Sequence, residues 1–182
     1  MKYMARYLIF ILVILLLGCS RSSSCFLCES SNLKIEKIGE HIYKHVSFIN
    51  YKGNSVGCNG VFSIFGENIV ILDSPTDDLA TLELLDYIEV NFHPNRMVAI
   101  SNHFHVDFTR CFKAMLDRGI VIYTYTESIK LMENQALAAN LLLIDHHFDM
   151  QFNNGEGLVH NRYFGPAYTR VNIASYILLD SI

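Results

Sequence analysis

Ser101-Asn102-His103-Phe104-His105-Val106-Asp107 follows the apolar run Met97-Val98-Ala99-Ile100 and precedes Phe108, Cys111, Phe112, Met115 and Leu116 at helical intervals. The run reads as a short buried strand and the later spacing as one helix face, so the histidines and the carboxylate sit on a strand-to-helix loop. Two imidazoles and a carboxylate at every second position form a zinc-binding spacing. Imidazole suits Zn²⁺, a carboxylate takes a neighbouring metal or orients a bound water, and neutral His and ionised Asp are both available at ordinary pH.

The surrounding pattern is that of a packed α/β domain from Leu33 onward. Leu33 to Ile38 and Ile42 to Phe48 alternate as strands, and Asn50-Tyr51-Lys52-Gly53-Asn54 is a turn. Val61 to Phe65 and Ile69 to Asp73 read as a strand pair around Gly66-Glu67-Asn68, the second strand almost wholly apolar and hence buried. Asp73 at its end is expected to fix the metal loop by hydrogen bonds. Leu79, Leu82, Leu85, Ile88 and Phe92 mark one helix face, with Asp77 and Asp78 favourable in the first turn and His93-Pro94-Asn95 as the stop. Gly119 is placed for a C-cap before the strand Ile120 to Thr124. Thr124 and Glu127 have capping-box spacing for a helix from about Thr126 to Ala139. His146 to Phe152, Leu158 to Phe164 and Val171 to Leu179 read as strands, with Asn153-Asn154-Gly155 as a hairpin turn.

The 182 residues allow one domain, and the 51% apolar content is raised by the first twenty positions. Lys2 and Arg6 precede the unbroken apolar run Tyr7 to Leu17, a length that suits a secretory signal better than a membrane span. The run ends in Leu16-Leu17-Gly18-Cys19, which resembles a lipoprotein lipobox and makes Cys19 the expected lipidation site; the alternative is a plain signal or an uncleaved anchor. Residues 1–18 are thus read as signal, 19–32 as a Ser-rich tether and 33–182 as the folded domain. Without residues 1–18 the formal charge moves from −4 to −6, because Lys2 and Arg6 leave. No basic patch of the kind that neutralises phosphates is present, so a nucleic-acid partner is not expected. Export to an oxidising compartment leaves Cys25 and Cys28 as either a small disulfide or two idle thiols. Cys58 and Cys111 read as small buried residues, while His41, His45, His93 and His160 read as solvent-facing or hydrogen-bonded.

Several separated pieces then agree with one family. Ile42-Tyr43-Lys44-His45, Cys58-Asn59-Gly60, Ile69 to Pro75, Asn102 to Asp107 and Gly165 to Asn172 together resemble the zinc-dependent, class B metallo-β-lactamases, over about Leu33 to Leu179. Phe108 stands where most other hydrolases of the wider superfamily carry a further His directly after the Asp, which narrows the resemblance to the lactamases.

That resemblance implies an α/β fold: the N-terminal part of an αββα sandwich with its second half incomplete. It implies two zinc ions. His103 and His105 match two of the three His on the first, whose third position is taken here by Tyr168; Asp107 matches a ligand of the second and the residue that orients the attacking water. The remaining Cys and His ligands of the family would fall beyond Ile182. Phe48, Ile49 and Tyr51 match the hairpin that the family closes over substrate. The implied activity is hydrolysis of a β-lactam amide by a zinc-activated water, hence antibiotic resistance, in an exported protein held by lipid on a periplasmic or cell-surface membrane face. The alternative is a truncated, catalytically inactive lipoprotein or gene fragment, which would expose apolar faces and self-associate.

Overall fold

Ile69-Val70-Ile71-Leu72 is apolar at every position because the strand it forms is covered on both faces. The computed structural model describes residues 26–102, 104–105, 111–132, 137, 140–152, 157–166 and 170–179. In chain order its elements are β1 (Phe26–Glu29), β2 (Leu33–Lys37), β3 (Ile42–Tyr51), β4 (Asn54–Phe65), β5 (Asn68–Leu72), α1 (Asp78–Phe92), β6 (Arg96–Ser101), α2 (Phe112–Asp117), β7 (Val121–Tyr125), α3 (Thr126–Leu131), β8 (Leu142–Ile144), β9 (His147–Phe152), β10 (Gly157–Arg162) and β11 (Ala174–Leu179). Strands β1 to β8 lie side by side in chain order in one sheet, and β11, β10 and β9 make a second. From β1 to β5 the pairing is antiparallel; from β5 to β8 it is parallel, with α1, α2 and α3 as the crossovers.

Alternation along β5 assigns each face. Ile69 and Ile71 turn to the helix side, where they join Leu33, Ile35, Phe62, Leu84, Leu85, Ile88, Phe112 and Met115 in one buried cluster. Val70 and Leu72 turn the other way and pack with Val98, Ile100, Phe65, Met150, Phe152 and Val159 between the two sheets. Phe65 stacks on Phe152 with ring centroids 4.8 Å apart, joining the sheets. The layers are therefore helix, sheet, sheet among the described residues. Each fully buried Leu or Ile in them contributes about 1.5–3 kcal/mol.

Helix α1 starts where expected. Asp77 is its N-cap, accepting the Ala80 N–H at 2.8 Å, and His93 ends it in the left-handed region at φ 46°. The buried stripe differs from the expected one: Leu79 and Leu82 are exposed, and Ala80, Thr81, Leu84, Leu85 and Ile88 face the sheet. The stripe 81-84-85-88 keeps to one helix face, whereas successive steps of three from Leu79 drift around the helix, so packing on the sheet selects the former.

Other departures have local causes. Phe26–Glu29, expected in the tether, pairs antiparallel with β2 as strand β1. The β3–β4 hairpin runs on to Tyr51 and Asn54, closing through Lys52 (φ 52°) and Gly53 (φ 80°), two successive positive φ values that match the sheet twist. The expected capping box does not form: Thr124 pairs within β7, its buried hydroxyl has no hydrogen-bond partner, and Tyr125 is the α3 N-cap without a side-chain bond. His45, expected at the surface or hydrogen-bonded, is fully buried, and neither ring nitrogen makes a well-formed hydrogen bond although the Asp73 main chain lies close to the ring. It lies on Gly60, where a Cβ would overlap its ring. Residues 1–25, which include the Tyr7 to Leu17 run, Cys19 and Cys25, lie outside the described residues, as does the turn expected at Asn153-Asn154-Gly155.

Candidate metal centre

The parallel strands end at a common rim, and the loop that follows β6 leaves from it. Carboxyl ends of parallel strands are where α/β sheets place ligands, because the crossovers depart there and leave a crevice. Asp73, directly after β5, and Asn102, directly after β6, meet at this rim. Asp73 Oδ1 accepts the Asn102 N–H at 2.9 Å, and Oδ2 accepts the Asn102 side-chain amide at 2.9 Å. The Asp73 N–H donates to the Ile100 carbonyl at 3.0 Å, and its backbone is left-handed at φ 62°, a region Asp tolerates better than most residues. The hydrogen bonds expected of Asp73 are present at Asn102, where the loop begins.

Asn102 is bonded on its other side too. Its carbonyl accepts the Ile173 N–H at 2.9 Å, and its Oδ1 accepts the Ser175 hydroxyl at 3.1 Å. Ser175 also reaches Asn161 Oδ1 at 2.7 Å, and the buried Asn161 amide donates to the Phe148 carbonyl at 3.1 Å. The residue before His103 is thus held by both sheets.

Beyond Asn102, Phe104 packs against the helix-side core and against a third cluster of Tyr125, Ile144, Val171 and Ile173. Its ring meets the His105 ring edge-on, centroids 4.7 Å apart, and His105 itself is half-buried. Partial burial of Phe104 ties this point of the chain to both clusters by packing. Close by, the Tyr125 hydroxyl lies 3.2 Å from His146 Nε2, and Tyr163 stacks on Tyr125 at 5.0 Å. Burial raises the Tyr125 hydroxyl above its ordinary pKa.

The hairpin joins the same rim from below. The Thr76 N–H donates to the buried Ser47 hydroxyl at 2.9 Å, and the Thr76 hydroxyl donates to the Phe48 carbonyl at 3.1 Å. Phe48 and Ile49 are half-buried and Tyr51 is exposed at the tip. Within the strand pair below, burial lowers the His45 pKa to about 4; the nearby Asp73 main chain favours the charged ring, but desolvation wins.

Of the expected metal ligands, His105 is described; His103, Asp107 and the Tyr168 position lie outside the described residues. Among the described residues no three His, Cys, Asp or Glu side chains converge to hold a metal ion. The chemistry of the donors nevertheless suits zinc, with the imidazoles of His103 and His105 available to one ion and the Asp107 carboxylate to a second, on a loop whose first residue is fixed. Sequence reasoning missed Asn102, Ser175, Asn161 and Thr76. An amide side chain at a strand end, directly before a donor loop, was the available signal for Asn102.

No protein-family model matches the chain. Among curated proteins it is similar to the type 2 metallo-β-lactamase of Bacillus cereus, 24% identical over 149 residues, which covers 82% of this chain and 57% of that protein. It is similar also to the type 2 metallo-β-lactamase of Bacteroides fragilis, 24% identical over 130 residues, covering 71% of this chain and 52% of that one. Among solved structures, DIM-1 metallo-β-lactamase superposes with a TM-score of 0.64 at 27% identity, over 82% of this chain and 66% of that chain. The fold is the metallo-β-lactamase fold. A metallo-β-lactamase from Pontibacter korlensis agrees, with a TM-score of 0.67 at 24% identity over 80% of this chain and 67% of its own. The relatives support a β-lactamase-like hydrolase family, and the chain spans about 57% of the length of the Bacillus cereus relative.

Proposed function

We propose that this chain is a zinc-dependent hydrolase of the β-lactam amide, with His103, His105 and Asp107 holding metal. The observation that carries the reading is the double hydrogen bond from Asn102 to Asp73, which fixes the base of the donor loop at the carboxyl rim of the parallel strands. The metallo-β-lactamase relatives and fold supply its context. Zinc bound there supplies a Lewis acid that lowers the pKa of water to about 7 and polarises the scissile carbonyl. Asp107 would orient the attacking water while holding metal, and the proton given up by that water would end on the amide nitrogen as the carbon–nitrogen bond breaks. Phe48, Ile49 and Tyr51 cover the apolar part of the substrate, with the hairpin base tied to the rim through Thr76. In this reading the protein is exported and held to a membrane by lipid on Cys19.

A catalytically silent relative is the second reading, favoured by Tyr168, which stands where the resemblance places a third His. A neutral phenol with a pKa near about 10 is a weak zinc donor at pH 7. Hydrolysis of a chromogenic β-lactam by the purified chain with added zinc separates the two. Turnover abolished by a chelator and restored by zinc supports the hydrolase; zinc binding without turnover supports the silent form.

A further inference from the structure

The Asn102 hydrogen bonds run to two separate segments of the fold, Asp73 and the stretch Ile173 to Ser175. Its N–H and amide are anchored on Asp73 of the larger sheet, its carbonyl on Ile173 just before β11, and its Oδ1 on Ser175 within β11. A serine hydroxyl has one proton, and the Ser175 hydroxyl has two amide oxygens within reach, Asn161 Oδ1 at 2.7 Å and Asn102 Oδ1 at 3.1 Å. Neither amide can turn to relieve the competition, because the Asn161 amide group donates to Phe148 and that of Asn102 to Asp73. The hydroxyl is therefore shared between the metal loop and the middle strand of the smaller sheet. Asn102 is the residue directly before His103, so any shift of β11 relative to β6 is passed to the donor loop at its base.

We propose that Asn102 and Ser175 are positioning residues through which the three-stranded sheet sets the zinc affinity of the 103–107 loop. The inference rests on the zinc reading above. Groups that orient ligands from behind typically change metal affinity about 10- to 100-fold when removed. Ser175→Ala removes the shared hydroxyl and leaves the Ile173 bond to Asn102 intact, so a loss near the lower end, about 10-fold, is expected. Ser175→Thr keeps a hydroxyl and suits a strand, so it rescues.

The test uses the full chain with zinc alone, titrated against a chromophoric chelator, alongside urea unfolding of the metal-free protein and amide exchange at Asn102, Phe104 and His105. Weaker zinc binding in Ser175→Ala, restored in Ser175→Thr, with the metal-free urea midpoint near that of wild type, supports positioning. Unchanged zinc affinity, or a lowered midpoint alone, assigns the hydroxyl a purely structural role and overturns the proposal. Absence of zinc binding in the wild type overturns the zinc reading instead. Positioning is then decided by exchange: faster exchange at 102–105 in Ser175→Ala, with β5 unchanged, upholds the loop's dependence on the second sheet, and unchanged exchange refutes it.

Discussion

Both carboxylate oxygens of Asp73 are occupied by one residue, Asn102, through its backbone N–H and its side-chain amide, each at 2.9 Å. The pair spans adjacent parallel strands at their carboxyl ends and uses an ionised acceptor, which makes these bonds stronger than neutral ones.

Asp73→Ala leaves two partly buried donors without an acceptor and removes a side chain that tolerates φ 62°. A loss of about 2–4 kcal/mol is expected from hydrogen bonds to a charged group. Asp73→Asn keeps the backbone preference and one acceptor oxygen, and should lose about half as much. Urea denaturation of the three proteins reads this order directly; equal midpoints would show that the pair is not holding the rim.

His45 makes stability depend on pH. Its ring is fully buried and its pKa falls from 6.5 to about 4, so between those values the unfolded chain binds a proton that the folded chain refuses. Stability from this group is therefore complete above pH 6.5 and declines as pH falls towards 4, by on the order of 3 kcal/mol. His45→Leu should flatten that slope and be close to neutral at pH 7, because it removes two buried nitrogens that lack a well-formed hydrogen bond. Unfolding free energies at half-unit steps from pH 4 to 7 check it, and a slope retained in the variant contradicts it.

Two glycines are required by close approach. A Cβ on Gly60 would overlap the enclosed His45 ring and come within 2.9 Å of the Leu72 carbonyl oxygen. A Cβ on Gly157 would overlap Phe65, which stacks on Phe152 between the sheets. Each alanine variant should cost about 1–3 kcal/mol from overpacking. Thermal unfolding should show both below wild type. Gly119→Ala, where a Cβ meets nothing but φ is 73°, should lose less, about 1 kcal/mol.

Much of this architecture is legible before any coordinates. The unbroken run Ile69 to Leu72 announces a strand covered twice, Asp77 marks the start of α1, and the alternation of His103, His105 and Asp107 marks a donor loop between β6 and α2. What escapes is set by tertiary context. Strand β1 exists because β2 offers an edge and has no fully buried residue, and β8 carries the exposed Leu142 and Leu143, so neither announces itself as a core strand. Thr124-x-x-Glu127 has capping spacing, but strand pairing claims Thr124 first. His45 is buried by Gly60, a residue whose significance is only the absence of a side chain. Asn102 and Ser175 are 73 positions apart, and no local pattern joins them.

Equilibrium dialysis against zinc, of the wild type and of His105→Ala, tests most directly whether the 103–107 loop is a metal site. At least one tightly held zinc per wild-type chain is expected and, with one of three expected donors removed, binding weakened at least about 10-fold in the variant. Failure of the wild type to retain zinc, or equal retention by His105→Ala, would contradict a metal site there.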